Sequence, residues 1–308
     1  MKILITGAGG FIGYALAARL VQAGHQVTGI DRNPFKLHDA DCIMKDVQIY
    51  MNELKTINRL PLIQDLAVTP IEPFDLIIHL AATARVGISL ERPEEVLSNN
   101  IGTTLQVLSY AREVPGTRVM FISSSSVKFA ELENNPYAMS KSICEDLVNT
   151  YVRTYGIEAT NIRLFNVYGP SEANYGKHST FIRKCRTAIE TGAKITVFGD
   201  GSQKRDYTHV DDVVAGLQII SELSDWQPLY EIGSGKNPTS TREIAETFAD
   251  ALGVEVVYEK PRQGDPKMTK ADTSLNPPGW KARWTVQDYL AELIDSYRRT
   301  RLINSVAS

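Results

Sequence analysis

The chain opens MKILITGAGGFIG, and this stretch constrains the fold more than any other. The apolar run from Lys2 to Thr6 is strand-length and too short for a helix. It leads directly into Gly7, Gly9, Gly10 and Gly13, and YALAARLVQAG then carries helical spacing and stops at Gly24. A strand, a glycine turn and a helix are therefore expected in immediate succession. Gly7, Gly10 and Gly13 let the backbone turn tightly, and Phe11 and Ile12 complete the turn. A pyrophosphate can then approach the helix N-terminus, where unpaired N–H groups and the helix dipole favour an anion. The next apolar run, HQVTGID, ends in Asp31. A carboxylate there accepts both hydroxyls of an adenosine ribose and repels a 2′-phosphate. The pattern points to a dinucleotide, NAD rather than NADP, although Arg32 is a residue type that can hold a 2′-phosphate.

The rest of the first half repeats the alternation. FDLIIHLAA, RVMFISS and ATNIRLF read as short buried strands, and PEEVLSNNIGTTLQVLSYAREV and PYAMSKSICEDLVNTYVRTYG read as helices. Such alternation gives a parallel sheet covered on both faces. The expected fold is α/β, a Rossmann-type doubly wound parallel sheet with a smaller mixed α/β substrate-binding lobe. The boundary is placed at 1–167 for the dinucleotide domain, which also receives part of 208–235, and 168–308 for the lobe. The lobe is expected to hold helices over Thr180–Thr191, Val210–Leu223 and Thr241–Leu252. Its strands are expected at Lys194–Phe198, LYEIGS and VEVVYE. The long polar segment DGSQKRDYTHVDD lies between good elements, where such loops commonly carry function.

Composition removes other classes. A net charge of −3 gives no basic surface for nucleic acid or anionic lipid. No run is long enough to span a membrane. The three cysteines, Cys42, Cys144 and Cys185, are too scattered for a disulfide framework or a metal set, which fits a reducing cytoplasm. An anionic ligand must therefore be held by local groups.

The chemical signal is SSSSVKFAELENNPYAMSK, residues 123 to 141. Tyr137 and Lys141 stand four apart and share one helix face, behind a cap at Asn135 and a first helical position at Pro136. An ammonium near a phenol lowers the phenol pKa and fits it to take a proton from a sugar or alcohol hydroxyl. A serine at the end of the preceding strand can orient the same hydroxyl. Alone, a Tyr-x-x-x-Lys pair is a solvated helix face; behind a dinucleotide loop it reads as a catalytic pair. Leu80, Ala81 and Ala82 end their strand in residues suited to close passage of the cofactor. Asp46 reaches the adenine edge or stands on the surface, with Val47 beside it. His79 reads as a structural histidine.

TGAGGFIG, HLAA, SNNIGTTLQVL, SSSSV, PYAMSK, RLFNVYGP, FGDGSQKRDYTHVDDVV, EIGSGKNPTS and PRQGDPKMTKAD together resemble the extended short-chain dehydrogenase/reductases. Within them the likeness is to nucleotide-sugar epimerases and dehydratases, from Lys2 to about Tyr297. The resemblance implies that Tyr137 is the base, that Lys141 holds the phenolate and the nicotinamide ribose, and that Ser124 is the catalytic serine. It places Asn99 and Ser123 beside the cofactor. It places Ser125, Asn166, Phe198, Arg205, Arg262 and Asp265 at the substrate, the arginines on its diphosphate, where bidentate guanidinium suits phosphate. The implied substrate is a nucleotide-sugar, most readily a UDP-hexose or UDP-hexuronate, epimerised at C4 through a transient ketone. The implied assembly is a homodimer through the helices around Pro93–Val114 and Pro136–Tyr155.

Two departures stand out. The 4,6-dehydratases of this group place Asp and Glu after the catalytic residue, where this chain has Ser125 and Ser126. A dehydratase here would need other acids and bases, with Glu131 and Glu133 as candidates. The segment from Ser124 to Tyr137 is also about half the usual length, and Lys128 and Phe129 replace the usual Tyr and Gly. Lys128 is expected either to meet a carboxylate-bearing sugar or to point into solvent. A third possibility from another class is a non-catalytic NAD-binding sensor. The retained Ser124, Tyr137 and Lys141 count against it.

Overall fold

The computed structural model describes residues 1–31, 47–51, 73–172, 176–236, 238–261 and 266–306. The dinucleotide half runs β1 (Lys2–Thr6), α1 (Phe11–Gln22), β2 (Gln26–Asp31), β3 (Val47–Met51), β4 (Leu76–His79), α2 (Val86–Glu91), α3 (Pro93–Glu113), β5 (Arg118–Ser124), α4 (Ser126–Phe129), α5 (Pro136–Tyr155) and β6 (Ala159–Leu164). There follow β7 (Val167–Tyr168), α6 (Phe181–Thr191), β8 (Ile195–Phe198), β9 (Lys204–Arg205), β10 (Thr208–His209), α7 (Val210–Glu222), β11 (Leu229–Ile232), β12 (Thr239–Ser240), α8 (Thr241–Leu252), β13 (Val256–Glu259) and α9 (Val286–Val306).

Seven strands form one parallel sheet in the order β3-β2-β1-β4-β5-β6-β11. Side chains alternate between its faces. Ile3, Ile5 and Ile78 enter one apolar cluster, while Leu4 and Ile77 enter the other. The first face is covered by α1 and α7 through Leu16, Leu20, Leu217 and Ile220. The second is covered by α3 and α5 through Val107, Leu108, Cys144 and Val148. Chain direction across the sheet reverses between β1 and β4. In doubly wound folds the ligand crevice opens at that point, beyond the carboxyl ends of the strands.

The expected strands and helices of the first half are present. Asn135 caps α5 by accepting the Ala138 N–H at 3.0 Å, Pro136 is its first residue, and Gly156 ends it at φ 70°. A separate apolar cluster of Tyr168, Ile182, Val197, Phe248 and Leu290 holds the second lobe together. There β8 pairs with β13 in parallel. The chain returns from the lobe to the main sheet through α7, which packs on α1, and β11, which pairs with β6.

Three helices were not expected from sequence: α2, the four-residue α4 and α9. α2 is six residues long, too short to show a period. α9 buries Val286, Tyr289, Leu290 and Ile294 among many charged neighbours, so its apolar stripe is narrow.

Candidate active site

One cleft of about 1270 Å³ runs from the β1–α1 turn, past the carboxyl ends of β4 and β5, to the second lobe. Gly7, Gly10, Phe11, Ile12, Gly13 and Asp31 line its first end. Gly7 has φ 76°, and a Cβ on it would lie 2.8 Å from the Ala81 amide nitrogen. A Cβ on Gly13 would lie 2.2 Å from the Gly7 carbonyl oxygen. Neither position admits a side chain, so bare backbone faces the cleft at the N-terminus of α1. The Asp31 carboxylate accepts the Gly9 N–H at 3.0 Å, which fixes it at the rim. Bare backbone at a helix N-terminus and a carboxylate at the end of β2 fit the pyrophosphate and the adenosine ribose of NAD. Leu80, Ala81, Ala82 and Asn99 form the next stretch of wall. Asn99 donates to Thr83 Oγ1 at 3.3 Å, and the neighbouring Asn100 carboxamide accepts the Thr83 N–H at 2.8 Å. His79 lies behind this wall, hydrogen-bonded to Thr6 at 2.7 Å and Thr104 at 3.2 Å. Burial, reinforced by the Lys141 charge, holds its pKa at about 3, so it stays neutral as a structural residue.

Ser123, Ser124, Ser125, Tyr137 and Lys141 meet at the middle of the cleft. β5 delivers Ser123 and Ser124, Ser125 follows at the start of α4, and the first turns of α5 deliver the other two. The Ser124 hydroxyl donates to Ser126 Oγ at 3.1 Å and accepts the Ser126 N–H at 3.1 Å. The Lys141 ammonium donates to the Ile122 carbonyl at 2.6 Å and lies 4.7 Å from the centre of the Phe121 ring. Burial lowers its pKa to about 8, against the raising influence of Cys144 and Glu145. Burial also pushes the Tyr137 phenol above its ordinary value; a hydrogen bond with Ser124 and the charge of Arg85 pull it back. Lys141 was expected to be the cation acting on this phenol. In this arrangement its ammonium is turned to the Ile122 carbonyl, and the cation that lowers the phenol pKa is Arg85.

The far end of the cleft is lined by Asn166, Phe198 and Arg205. Asn166 adopts the left-handed backbone region at φ 31°, and its Nδ2 donates to the Asp206 carbonyl and Thr269 Oγ1, both at 3.0 Å. The Arg205 guanidinium donates to the Pro266 carbonyl at 2.6 Å. Arg32, Asp46, Arg262 and Asp265 lie outside the described residues, and Val47 is described only as backbone of the edge strand β3.

Lys128 does not line the cleft, and its side chain is 34% exposed. Its ammonium sits 3.1 Å from both carboxylate oxygens of Glu231, which is fully buried. The length of the lysine stem carries the charge away from the sugar side to the sheet edge, so of the two alternatives the uronate contact is not met and the partly exposed position is the nearer one. Glu131 and Glu133 are both exposed, and of the two only Glu131 lines the cleft.

Two cleft residues, Arg85 and Glu172, and one buried residue behind it, Asp206, were not singled out from sequence. Arg85 lines the cleft at the start of α2, a few residues beyond HLAA; a basic residue in the loop after a cofactor-lining strand end was the available signal. Glu172 lines it too, almost wholly buried, and burial raises its carboxyl pKa while Thr180, Arg85, Arg186 and Arg183 lower it. Its Oε1 has no hydrogen-bond partner among the described residues. Asp206, beside Arg205, is fully buried and accepts N–H groups from Ser234, Gly235 and Ala271 at 3.1, 2.8 and 2.9 Å. It ties the loop after β11 to the segment that contacts Arg205.

A doubly wound sheet with a glycine turn, and a Ser-Tyr-Lys set beside it, defines a dinucleotide-dependent enzyme acting on a hydroxyl-bearing substrate. Residues 3–233 match the NAD dependent epimerase/dehydratase family, and the chain belongs to that family. It is 31% identical over 335 aligned positions to a UDP-glucuronate 4-epimerase of Thermodesulfobacterium geofontis, covering 98% of each chain. Among solved structures it resembles UDP-glucose 4-epimerase of Thermotoga maritima with UDP-glucose, at TM-score 0.82 and 26% identity, covering 97% of this chain and 99% of that one. It also resembles UDP-glucuronic acid 4-epimerase of Bacillus cereus in complex with UDP-glucuronic acid and NAD, at TM-score 0.80 and 27% identity, covering 97% and 100%.

Proposed function

We propose that the protein is an NAD-dependent epimerase that inverts C4 of a UDP-hexose or UDP-hexuronate. The observation that carries the reading is the position of Ser124, Tyr137 and Lys141. They stand in one cleft midway between the glycine turn and the lobe wall of Phe198 and Arg205. When bound, NAD supplies the acceptor for the C4 hydride and returns it. Gly7, Gly10 and Gly13 would take the pyrophosphate, Asp31 the adenosine ribose, and Lys141 the nicotinamide ribose. Ser124 orients the sugar C4 hydroxyl, and Tyr137 receives its proton as the C4–H bond breaks. The 4-keto sugar turns in the cleft. Tyr137 then gives the proton back as C4 is reduced on its other face, so no net oxidation occurs. Arg205, with Arg262 and Asp265, would hold the diphosphate and its ribose, Asn166 would stand beside the diphosphate, and Phe198 would face the base.

Elimination of water is disfavoured because Ser125 and Ser126 follow Ser124 where a 4,6-dehydratase carries its acid and base. The chain is further proposed to act in the cytoplasm as a homodimer through α3 and α5. The described cysteines, Cys144 and Cys185, are free and buried, and no described helix is long and apolar enough to cross a membrane. The test is incubation with a panel of UDP-, dTDP- and GDP-sugars followed by NMR. C4 inversion of a UDP-sugar is the expected result; loss of water would favour the dehydratase, and no change across the panel a non-catalytic role.

A further inference from the structure

The sheet holds the Ser124 backbone at the end of β5, opposite Leu164, but the turn that follows has few supports of its own. α4 is four residues long, less than a helix needs for independent stability. Within it, the Lys128 and Phe129 N–H groups reach the Ser125 carbonyl, at 3.0 and 3.2 Å, and the Ala130 N–H reaches Ser126 at 2.9 Å. Its backbone is tied to β6 at one point, where the Ser125 N–H donates to the Leu164 carbonyl at 3.0 Å; its side-chain anchors are Phe129, packed edge-on to Phe165 at 6.2 Å, and Lys128.

Lys128 closes a circuit. On one side of the catalytic serine, Ser123 donates its hydroxyl to Glu145 at 2.5 Å. Glu145 takes both Nε and Nη2 of Arg163, at 2.9 and 2.6 Å. Arg163 stands 3.8 Å from Glu231 on the neighbouring strand β11. Glu231 accepts the Asp272 N–H at 2.7 Å and the Lys128 ammonium on both oxygens. The chain of charges leaves the backbone at Ser123 and returns to it at Lys128. It brackets Ser124, Ser125, Ser126 and Val127. Two carboxylates and two cations alternate along it, so it is neutral in sum.

We propose that Lys128 is a positioning residue, which through its ion pair with Glu231 pins the short serine turn to the sheet edge and so sets the Ser124 hydroxyl against Tyr137. The pair takes over the tethering that a longer segment between Ser124 and Tyr137 would otherwise supply. It rests on the reading that Ser124 and Tyr137 handle the substrate proton. A purely structural role makes a different claim, namely that Lys128 only neutralises a buried carboxylate.

Three variants separate these roles. Lys128→Met leaves Glu231 buried without its main cation and is expected to lose both stability and turnover. The double variant Lys128→Met with Glu231→Gln removes both charges, so its melting temperature is expected to return most of the way to the parent value. Its kcat is expected to stay about 10- to 100-fold low, the scale of a small misplacement at a reacting centre, with KM little changed. Lys128→Arg is expected to restore activity. An ultraviolet difference titration against a Tyr137→Phe background reads the phenol without any turnover. The groups acting on it are Ser124 and Arg85, and loosening Ser124 is expected to move its deprotonation to higher pH in the double variant. A double variant with parental kcat and parental phenol titration overturns the proposal. If no sugar is turned over by any form, the proposed function fails, and the titration alone still decides the role of Lys128.

Discussion

At the cofactor end of the cleft the site is made of backbone, and at the sugar end it is made of side chains. Gly7 and Gly13 serve by carrying nothing: the space a Cβ would need is already filled by the chain itself. Ser124, by contrast, is placed by hydrogen bonds within its own turn and by a circuit of four charges whose members come from α4, α5, β6 and β11. A site of backbone tolerates no added atom. A site of side chains tolerates many changes of residue, but each one moves something.

The largest effect is expected where the two ends meet. Tyr137→Phe keeps the fold of α5 and removes the proton acceptor. Turnover is expected to fall by about 10²- to 10⁴-fold, with NAD still bound, as measured by the cofactor released on denaturation. A mutant that keeps full activity would mean another base. Gly13→Ala attacks the backbone end alone. Its added methyl meets the Gly7 carbonyl, and overpacking of that kind costs about 1–3 kcal/mol. Cofactor retention and melting temperature are expected to drop together, while the Tyr137 titration in the folded fraction stays in place.

Arg85→Met attacks the sugar end alone. Arg85 lowers the Tyr137 pKa, so its loss is expected to push the acid limb of the kcat profile to higher pH and to leave NAD binding unchanged. The smallest effect concerns Lys141 in the ligand-free protein. Its folded pKa, about 8, is below its unfolded value of 10.5, so between those pH values the unfolded chain binds more protons. Burying the ammonium therefore destabilises the fold below about pH 8, and unfolding free energy gains a rising component from pH 8 to 10.5. Chemical denaturation is expected to show that component in the parent and not in Lys141→Met.

The same contrast explains what sequence could show. The cofactor turn is local: strand, glycines, helix and Asp31 fall within the first 31 residues, and each glycine states a geometric need by itself. The pair of Tyr137 and Lys141 is likewise fixed by one helix. Arg85 and Glu172 come from segments without periodicity and reach the cleft only through tertiary packing. Lys128 was visible as an oddity, but its partner lies 103 residues away on β11, and Glu231 reads in sequence as one charge in a short strand. Sequence could say that the serine turn was unusual. The sheet order, which sets β11 beside β6, had to be known before Lys128 had a place to go.

The central claim is that one carbon, C4, gives up its hydrogen as hydride and takes the same hydrogen back. A UDP-sugar carrying deuterium at C4, incubated in ordinary water and followed by NMR, tests it directly. Inversion at C4 with the deuterium retained on that carbon is the expected result. Loss of the label to solvent, or inversion at a different carbon, would contradict it.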